Sequence, residues 1–284
     1  MSRNKSRLGN SRADTSESIV NDLLDFVTPT EFVDLPSKGQ LYPKGHPLRG
    51  KDSIEIRFMT AKDEDILTNQ SLIKKGVAID RFVQSIILDE HINVDDLVIG
   101  DKNAIIIAAR ASAYGVAYEA VVGCSKCGTE NEMVFDLNKT SFSGLDIPEG
   151  LEIQKLDNGY FTTIMPKSQL EVTFRVFTSV DEKYLTTYLV DNFESEDRSI
   201  TTEQLKRMIV MIRDVKEPEV IEMVIDRLTS IDVRHLKICL RAMTPNVEIK
   251  ETLVCKECGN EQEVQIPFGI DFFWPDREIF GSNV

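Results

Sequence analysis

Apolar residues along this chain recur with two different periods, and the points where one period gives way to the other mark out its elements. Spacings of three and four run through residues 78–88, 101–113, 203–211, 218–228 and 232–243, which predicts helices there. Alternation of apolar and polar positions predicts strands at 116–122, 132–135, 247–254 and 263–266, and two further alternating stretches lead into Thr60 and Thr178. Each of these threonines stands three residues before an acid pair beginning at Asp63 or Asp181. A threonine hydroxyl can accept an orphan helix amide there while the acid faces the positive end of the helix, so the acids read as caps and not as catalysts. The fold class predicted is α+β.

The pattern nearer the N-terminus is weaker. Residues 1–13 read as a disordered basic tail carrying Arg3, Lys5, Arg7 and Arg12. Asp14 and Glu17 have the spacing of a capping box, after which Ile19, Leu23, Leu24 and Val27 fall on one helix face. That face has two open readings, a docking peptide for a partner or packing on its own domain. Residues 14–52 are assigned to this helix and an extended linker rich in turn formers, with the globular body starting near Ser53.

The chain also repeats itself. A shift of 131 residues lays Asp101 on Asp232, Arg110 on Arg241, Val116 on Val247, Cys124 on Cys255, Cys127 on Cys258 and Gly128 on Gly259 without a gap. Upstream, the stretch from Ile56 to Leu67 matches that from Phe174 to Leu185 at a shift of 118, so the second copy should hold 131 − 118 = 13 extra residues. The acidic stretch 191–202 is the expected place for them, as an exposed loop. The organisation predicted is a first repeat at 53–137, a connector at 138–169 with a hairpin around Asp157-Asn158-Gly159, and a second repeat at 170–284.

Composition then narrows the chemistry. With 284 residues the chain can bury a core without disulfides, and no apolar run approaches the length of a membrane span. A formal charge of −14 repels phosphate backbones, so nucleic acid is not an expected partner. The N-terminus carries positive charge but no apolar stretch behind it, which argues against a secretory signal and for a reducing cytoplasm. In that setting closely spaced cysteines are metal ligands sooner than disulfides.

Cys124-Ser125-Lys126-Cys127-Gly128 and Cys255-Lys256-Glu257-Cys258-Gly259 are two knuckles of the zinc-ribbon kind, each at the tip of a predicted hairpin. Two intervening residues let both sulfurs face one ion, and the glycine after the second cysteine permits the left-handed turn that closes the knuckle. Each pair supplies half of a tetrahedral shell. A compact ribbon sets its pairs roughly 15–20 residues apart, whereas here a whole second copy intervenes, so a shared ion must tie the copies together. Zinc is the expected occupant, with iron fitting the same four sulfurs. The open alternatives are reduced thiols with no metal, or knuckles that each pair with another subunit. Cys239 has no neighbouring cysteine and reads as a small buried residue.

No catalytic pattern accompanies these knuckles. The chain has three histidines, none in a His-x-Glu or His-Glu-x-x-His context, and lacks both a phosphate-cradling loop and a nucleophile elbow. The expectation is a protein without enzymatic activity.

Four stretches carry a family resemblance: Leu35-Pro36-Ser37-Lys38-Gly39-Gln40-Leu41-Tyr42-Pro43; the run from Met59 to Asn69; Gly100-Asp101-Lys102-Asn103 with Ala108-Ala109-Arg110 and Tyr114-Gly115; and Phe272-Phe273-Trp274-Pro275-Asp276. In these the chain resembles the baseplate hub proteins of T-even-type contractile-tailed bacteriophages and their cyanophage relatives. The resemblance implies a structural or assembly role in the hub and wedges, with other baseplate proteins as partners and no turnover. It also implies residence in the host cytoplasm during assembly and then in the virion tail. The aromatic cluster Phe272, Phe273 and Trp274 is a candidate partner anchor, with core packing as the other reading. A competing function for the knuckles is a regulatory module acting on transcription or replication machinery, in which the basic N-terminal arm would meet nucleic acid.

Overall fold

A computed structural model describes residues 28–191, 199–266 and 270–273. Among these, eight α-helices and five small antiparallel sheets share one hydrophobic core. The predicted docking helix with Ile19, Leu23, Leu24 and Val27 lies outside the described residues, as does Trp274.

The body begins earlier than the sequence pattern suggests. Strand β1 (Thr30–Asp34) pairs with β2 (Ser53–Arg57), and the turn-rich loop between them folds inward, burying Leu35, Tyr42 and Leu48. The stretch read as a linker is therefore core. The reason is polar as much as apolar: Asp101, fully buried at the start of a helix, accepts bonds from Ser37 N (2.9 Å), Ser37 Oγ (2.6 Å) and Tyr42 Oη (2.7 Å). A buried carboxylate needs such partners, and the loop supplies them. Burial, with Asp101 beside it, pushes the Tyr42 phenol well above its ordinary pKa.

Helices α1 (Ala61–Thr68), α2 (Gln70–Lys74), α3 (Ala78–Ile86) and α4 (Ile99–Tyr114) follow. Arg57 clasps Asp63 through two bonds of 2.6 and 2.9 Å, and Thr60 N donates to the same carboxylate at 2.8 Å, fixing the entry to α1. Burial alone would raise the Asp63 pKa, but the bonds from Arg57, Ser85 and Thr60 outweigh it and hold it well below the usual carboxylate range. Helix α4 runs through the middle of the core, with Ala104, Ile105, Ile107 and Ala109 all buried. It leads into the hairpin β3 (Ala117–Gly123) and β4 (Glu130–Asp136).

After the short strand β5 (Ser141–Ser143), the hairpin expected around Asp157-Asn158-Gly159 forms between β6 (Ile153–Lys155) and β7 (Phe161–Ile164). Gly159 has φ of 83°, and a Cβ there would sit 2.4 Å from the Leu41 carbonyl oxygen. This hairpin is not a free connector. With β8 (Glu171–Phe174) and β9 (Ile209–Ile212) it makes a four-stranded sheet in the order β6-β7-β8-β9, so a boundary at residue 169 would cut the β7–β8 hairpin.

The clasp beside α1 then recurs. Arg175 holds Asp181 at 2.5 and 2.8 Å and Thr178 N donates to it at 3.0 Å, at the start of α5 (Ser179–Asp191). Helix α6 (Ile200–Met208) ends before the predicted 203–211 span does, because Ile209–Ile212 is strand β9, drawn into the sheet by pairing with β8. Of the acidic stretch expected to form a loop, residues 192–198 lie outside the described residues and the flanking described positions Asp191 and 200–202 are helical. Helices α7 (Pro218–Ile225) and α8 (Ser230–Met243) lead to β10 (Asn246–Glu248) and the second hairpin, β11 (Lys250–Val254) with β12 (Glu261–Gln265).

The segments that follow the two cysteine hairpins cross over. Strand β5, following the first hairpin, pairs with β10. Residues Phe272 and Phe273, following the second, pack against Tyr118 and Phe82 at ring separations of 5.0 and 5.1 Å, and Arg110 Nε donates to the Phe272 carbonyl at 2.8 Å.

Candidate metal centre

The hairpins β3–β4 and β11–β12 bring their tips together, and with them the four cysteines that the sequence singled out. Sγ of Cys124 lies 3.7 Å from that of Cys258, and Sγ of Cys127 lies 3.6 Å from that of Cys255, with all four sulfurs within 4.8 Å of one another. These separations exceed a disulfide's roughly 2.05 Å. They match the edge of a tetrahedron about 3.8 Å long that four sulfurs make around an ion at about 2.3 Å. The four close cysteines can hold one metal ion.

The knuckles are built alike. Gly128 N and Gly259 N each bond back at 2.9 Å to the carbonyl of the first cysteine of their knuckle, and both glycines take positive φ, 74° and 65°. That conformation is open to glycine at little cost. Cys124 N bonds Thr129 O and Cys255 N bonds Asn260 O, both at 2.9 Å, closing each turn. The backbone amides of Cys258 and Glu257 lower the Cys255 pKa to about 6, and the Thr129 hydroxyl and amide lower that of Cys127. Cys258 is pushed up to about 12: the Asn260 amide favours its thiolate, but Cys127, burial, Cys255 and Cys124 together oppose a further negative charge. The knuckles thus favour the thiolate at Cys255 and Cys127, and a cation would be needed to hold all four sulfurs as thiolates.

Two side chains that sequence reasoning passed over lock the tips together. Asn131 is buried on β4; its Oδ1 accepts Lys256 N of the opposite knuckle at 3.0 Å, while its Nδ2 donates to Thr129 O at 2.7 Å and stands 3.8 Å from Cys255 Sγ. On β12, Gln262 Oε1 accepts Ser125 N of the first knuckle at 2.7 Å and the Ser125 hydroxyl at 2.5 Å. The signal for both was in the offset already used, since Asn131 plus 131 is Gln262 and Ser125 plus 131 is Lys256. Each hairpin thus offers one amide side chain to the backbone of the other's knuckle.

A family model described as T4 bacteriophage base plate protein matches residues 28–274. The chain belongs to this base plate protein family. No curated protein and no solved structure matches it. The match covers both knuckles, the clasps at Asp63 and Asp181 and the buried Asp101 loop, so the base plate assignment and the described fold refer to the same residues. It supports a structural role in a phage tail base plate, with other phage structural proteins as partners. No helix among the described residues is long and apolar enough to cross a membrane.

The other candidate residues of this base plate protein settle differently. Phe272 and Phe273, offered as a partner anchor, are 2% and 1% exposed, so they serve the core instead. Cys239 is buried in α8, with its Sγ 3.5 Å from His235 Nε2. Two histidines are also tied into the fold: His235 Nε2 lies 3.0 Å from Thr163 Oγ1, and His46 stacks on Tyr42 at 4.5 Å.

Proposed function

We propose that this base plate protein is a rigid, non-catalytic connecting subunit of the hub or wedge, made of two copies of one module clamped by a single structural zinc ion. The observation that carries the reading is the convergence of four sulfurs, two from each half, with all four tetrahedral positions supplied by protein. Such a shell leaves no place for a substrate or a reactive water, which favours a structural ion over a catalytic one. The ion's value to folding is on the order of 10 kcal/mol, enough to decide whether the halves dock.

Duplication is supported by three recurrences: the Arg57-Thr60-Asp63 clasp at Arg175-Thr178-Asp181, the crossed amides Asn131 and Gln262, and the exchanged tails at β5 and Phe272–Phe273. A fourth is the buried helix-start acid. Asp232 accepts Lys167 N, after Pro166, at 2.8 Å, as Asp101 accepts Ser37 N, after Pro36. On this reading much of the extra length of the second copy is α7 and its flanking turns, since Ile209 of β9 pairs with Phe174 as Ile87 bridges to Ile56 in the first copy. The acidic stretch then contributes little of it.

Mass spectrometry of purified tails and of assembly intermediates, paired with elemental analysis of the purified chain, tests the proposal. One zinc per chain and recovery in base plates or their precursors is the expected outcome. Visible absorption from an iron–sulfur centre would replace zinc by iron. Absence from both particles and precursors would remove the base plate role.

A further inference from the structure

Strand β1 is an edge strand with no lysine, proline or bulge within it. It pairs with β2 alone among the described residues. The bonds Leu35 N to Asp52 O and Phe58 N to Pro29 O set the alternation, so the backbone groups of residues 29, 31, 33 and 35 face β2 and those of Thr30, Phe32 and Asp34 face the other way. The Leu88 N to Glu55 O bond agrees, because Glu55, opposite Phe32, likewise turns its carbonyl away from their shared ladder. Natural sheets guard such edges with lysine, proline, a bulge or a covering element. Here the outward-facing positions are Thr30, Phe32 and Asp34, and Phe32 is 71% exposed.

Alongside this edge runs a groove of about 250 Å³. Its floor is the small-residue side of α4, including Ala104, Ala108 and Ala111, and its far lip carries Phe142, itself 46% exposed. Glu31 also lines it, and among the described residues its Oε1 is buried with no hydrogen-bond partner. A buried carboxylate oxygen without a donor costs on the order of 1–3 kcal/mol. The groove therefore combines an edge of backbone donors and acceptors that β2 does not use, a lining of alanines, and one acceptor oxygen without a donor.

We propose that the β1 edge and this groove form a docking site for an extended segment of a neighbouring base plate subunit, which adds a strand to β1 and places a lysine or arginine on Glu31. Backbone bonds to Phe32 supply affinity that does not depend on sequence, and the side chains on alternate positions of the incoming strand supply specificity. Inward-facing positions take small apolar residues over Ala104 and Ala108 with the one basic residue beside Glu31, whose carboxylate attracts it. An acidic or proline-interrupted segment is excluded. The site is on a face distinct in its residues from the cysteine knuckles, and it rests on the base plate reading only for the identity of the partner.

The test replaces Phe32 in the full-length chain by the photo-crosslinking residue p-benzoylphenylalanine, with the variant incorporated into assembling tails and crosslinked peptides mapped by mass spectrometry. The expected crosslink is to a different subunit, in a segment of alternating pattern with lysine or arginine within about two residues, the strand repeat. Crosslinks to residues 1–27 of the same chain, to a segment lacking a basic residue, or to nothing in a particle that contains the variant overturn the proposal. Phe32→Pro gives a second reading, because it removes an N–H that β2 does not use. Its incorporation into base plates should fall by up to about tenfold, the upper worth of one net hydrogen bond, with melting and zinc content unchanged. Incorporation equal to wild type overturns the proposal. If the unaltered chain is found in neither tails nor intermediates, the base plate reading itself has failed; if the unaltered chain is present and these variants behave otherwise, only the edge proposal has.

Discussion

The crossed amides at the knuckles allow a prediction in which two residues at equivalent positions behave unequally. Asn131→Ala removes the acceptor of Lys256 N and the donor to Thr129 O, both on a side chain that is only 4% exposed, and it removes the amide beside Cys255 Sγ. Water cannot easily replace these partners, so the Lys256 amide is left unsatisfied at a cost of about 1–3 kcal/mol. Gln262→Ala removes comparable bonds to Ser125, but on an exposed side of the site where water can take them over. Groups that orient metal ligands typically contribute about 10- to 100-fold in affinity. Asn131→Ala should therefore weaken zinc binding by about 10- to 100-fold and Gln262→Ala by less than about 10-fold. Competition against a chromogenic chelator at neutral pH measures both, and cobalt substitution reports whether the four-sulfur tetrahedron survives. Wild-type affinity in Asn131→Ala, or a larger loss in Gln262→Ala, would refute the argument that burial sets the worth of each amide.

Four further outcomes are expected. Serine at any one of Cys124, Cys127, Cys255 or Cys258 should abolish stoichiometric zinc and lower the melting temperature, whereas Cys239→Ala should keep one zinc per chain by elemental analysis. Asp63 and Asp181 have depressed folded pKa values, so their stabilisation is complete above the ordinary carboxylate pKa near ~4 and is lost as pH falls below it. Urea midpoints taken down through that range should fall less steeply for Asp63→Asn and Asp181→Asn than for wild type, and parallel profiles would contradict the assignment. Gly100→Ala should destabilise by about 1–3 kcal/mol, although helix propensity alone predicts a gain near 1 kcal/mol, because a Cβ there would lie 2.0 Å from Pro245 O; the sign of the change in chemical denaturation decides between the two. Phe273→Ala should cost about 3–5 kcal/mol if the ring is core, and near zero if it serves only a partner.

The two cysteine knuckles were legible in the sequence because their chemistry is local. Two residues between cysteines and a glycine after them specify a knuckle regardless of what surrounds it, and Gly128 and Gly259 do adopt the left-handed turn. Helices α3 and α8 were legible for a similar reason, since their apolar spacing reflects one buried face. Residues 209–211 were misread as helix because a run of Ile-Val-Met has no period of its own, and pairing with β8 made the choice. Phe272 and Phe273 could be placed in the core only once the tail was seen to cross to Tyr118 and Phe82.

By itself, then, the order of residues determined which cysteines pair within a knuckle, where α1, α3, α5 and α7 begin, and that Asp63 and Asp181 stand at the starts of α1 and α5, because each of these is settled by atoms only a few residues apart. Tertiary structure decided that the turn-rich segment after β1 is core, that Asn131 and Gln262 reach across to the opposite knuckles, and that one edge of β1 faces a groove. These are contacts between residues far apart in sequence. Whether a polar group such as Asp101 finds its donors in Ser37 and Tyr42 depends on the packing of the intervening chain, which no local pattern records.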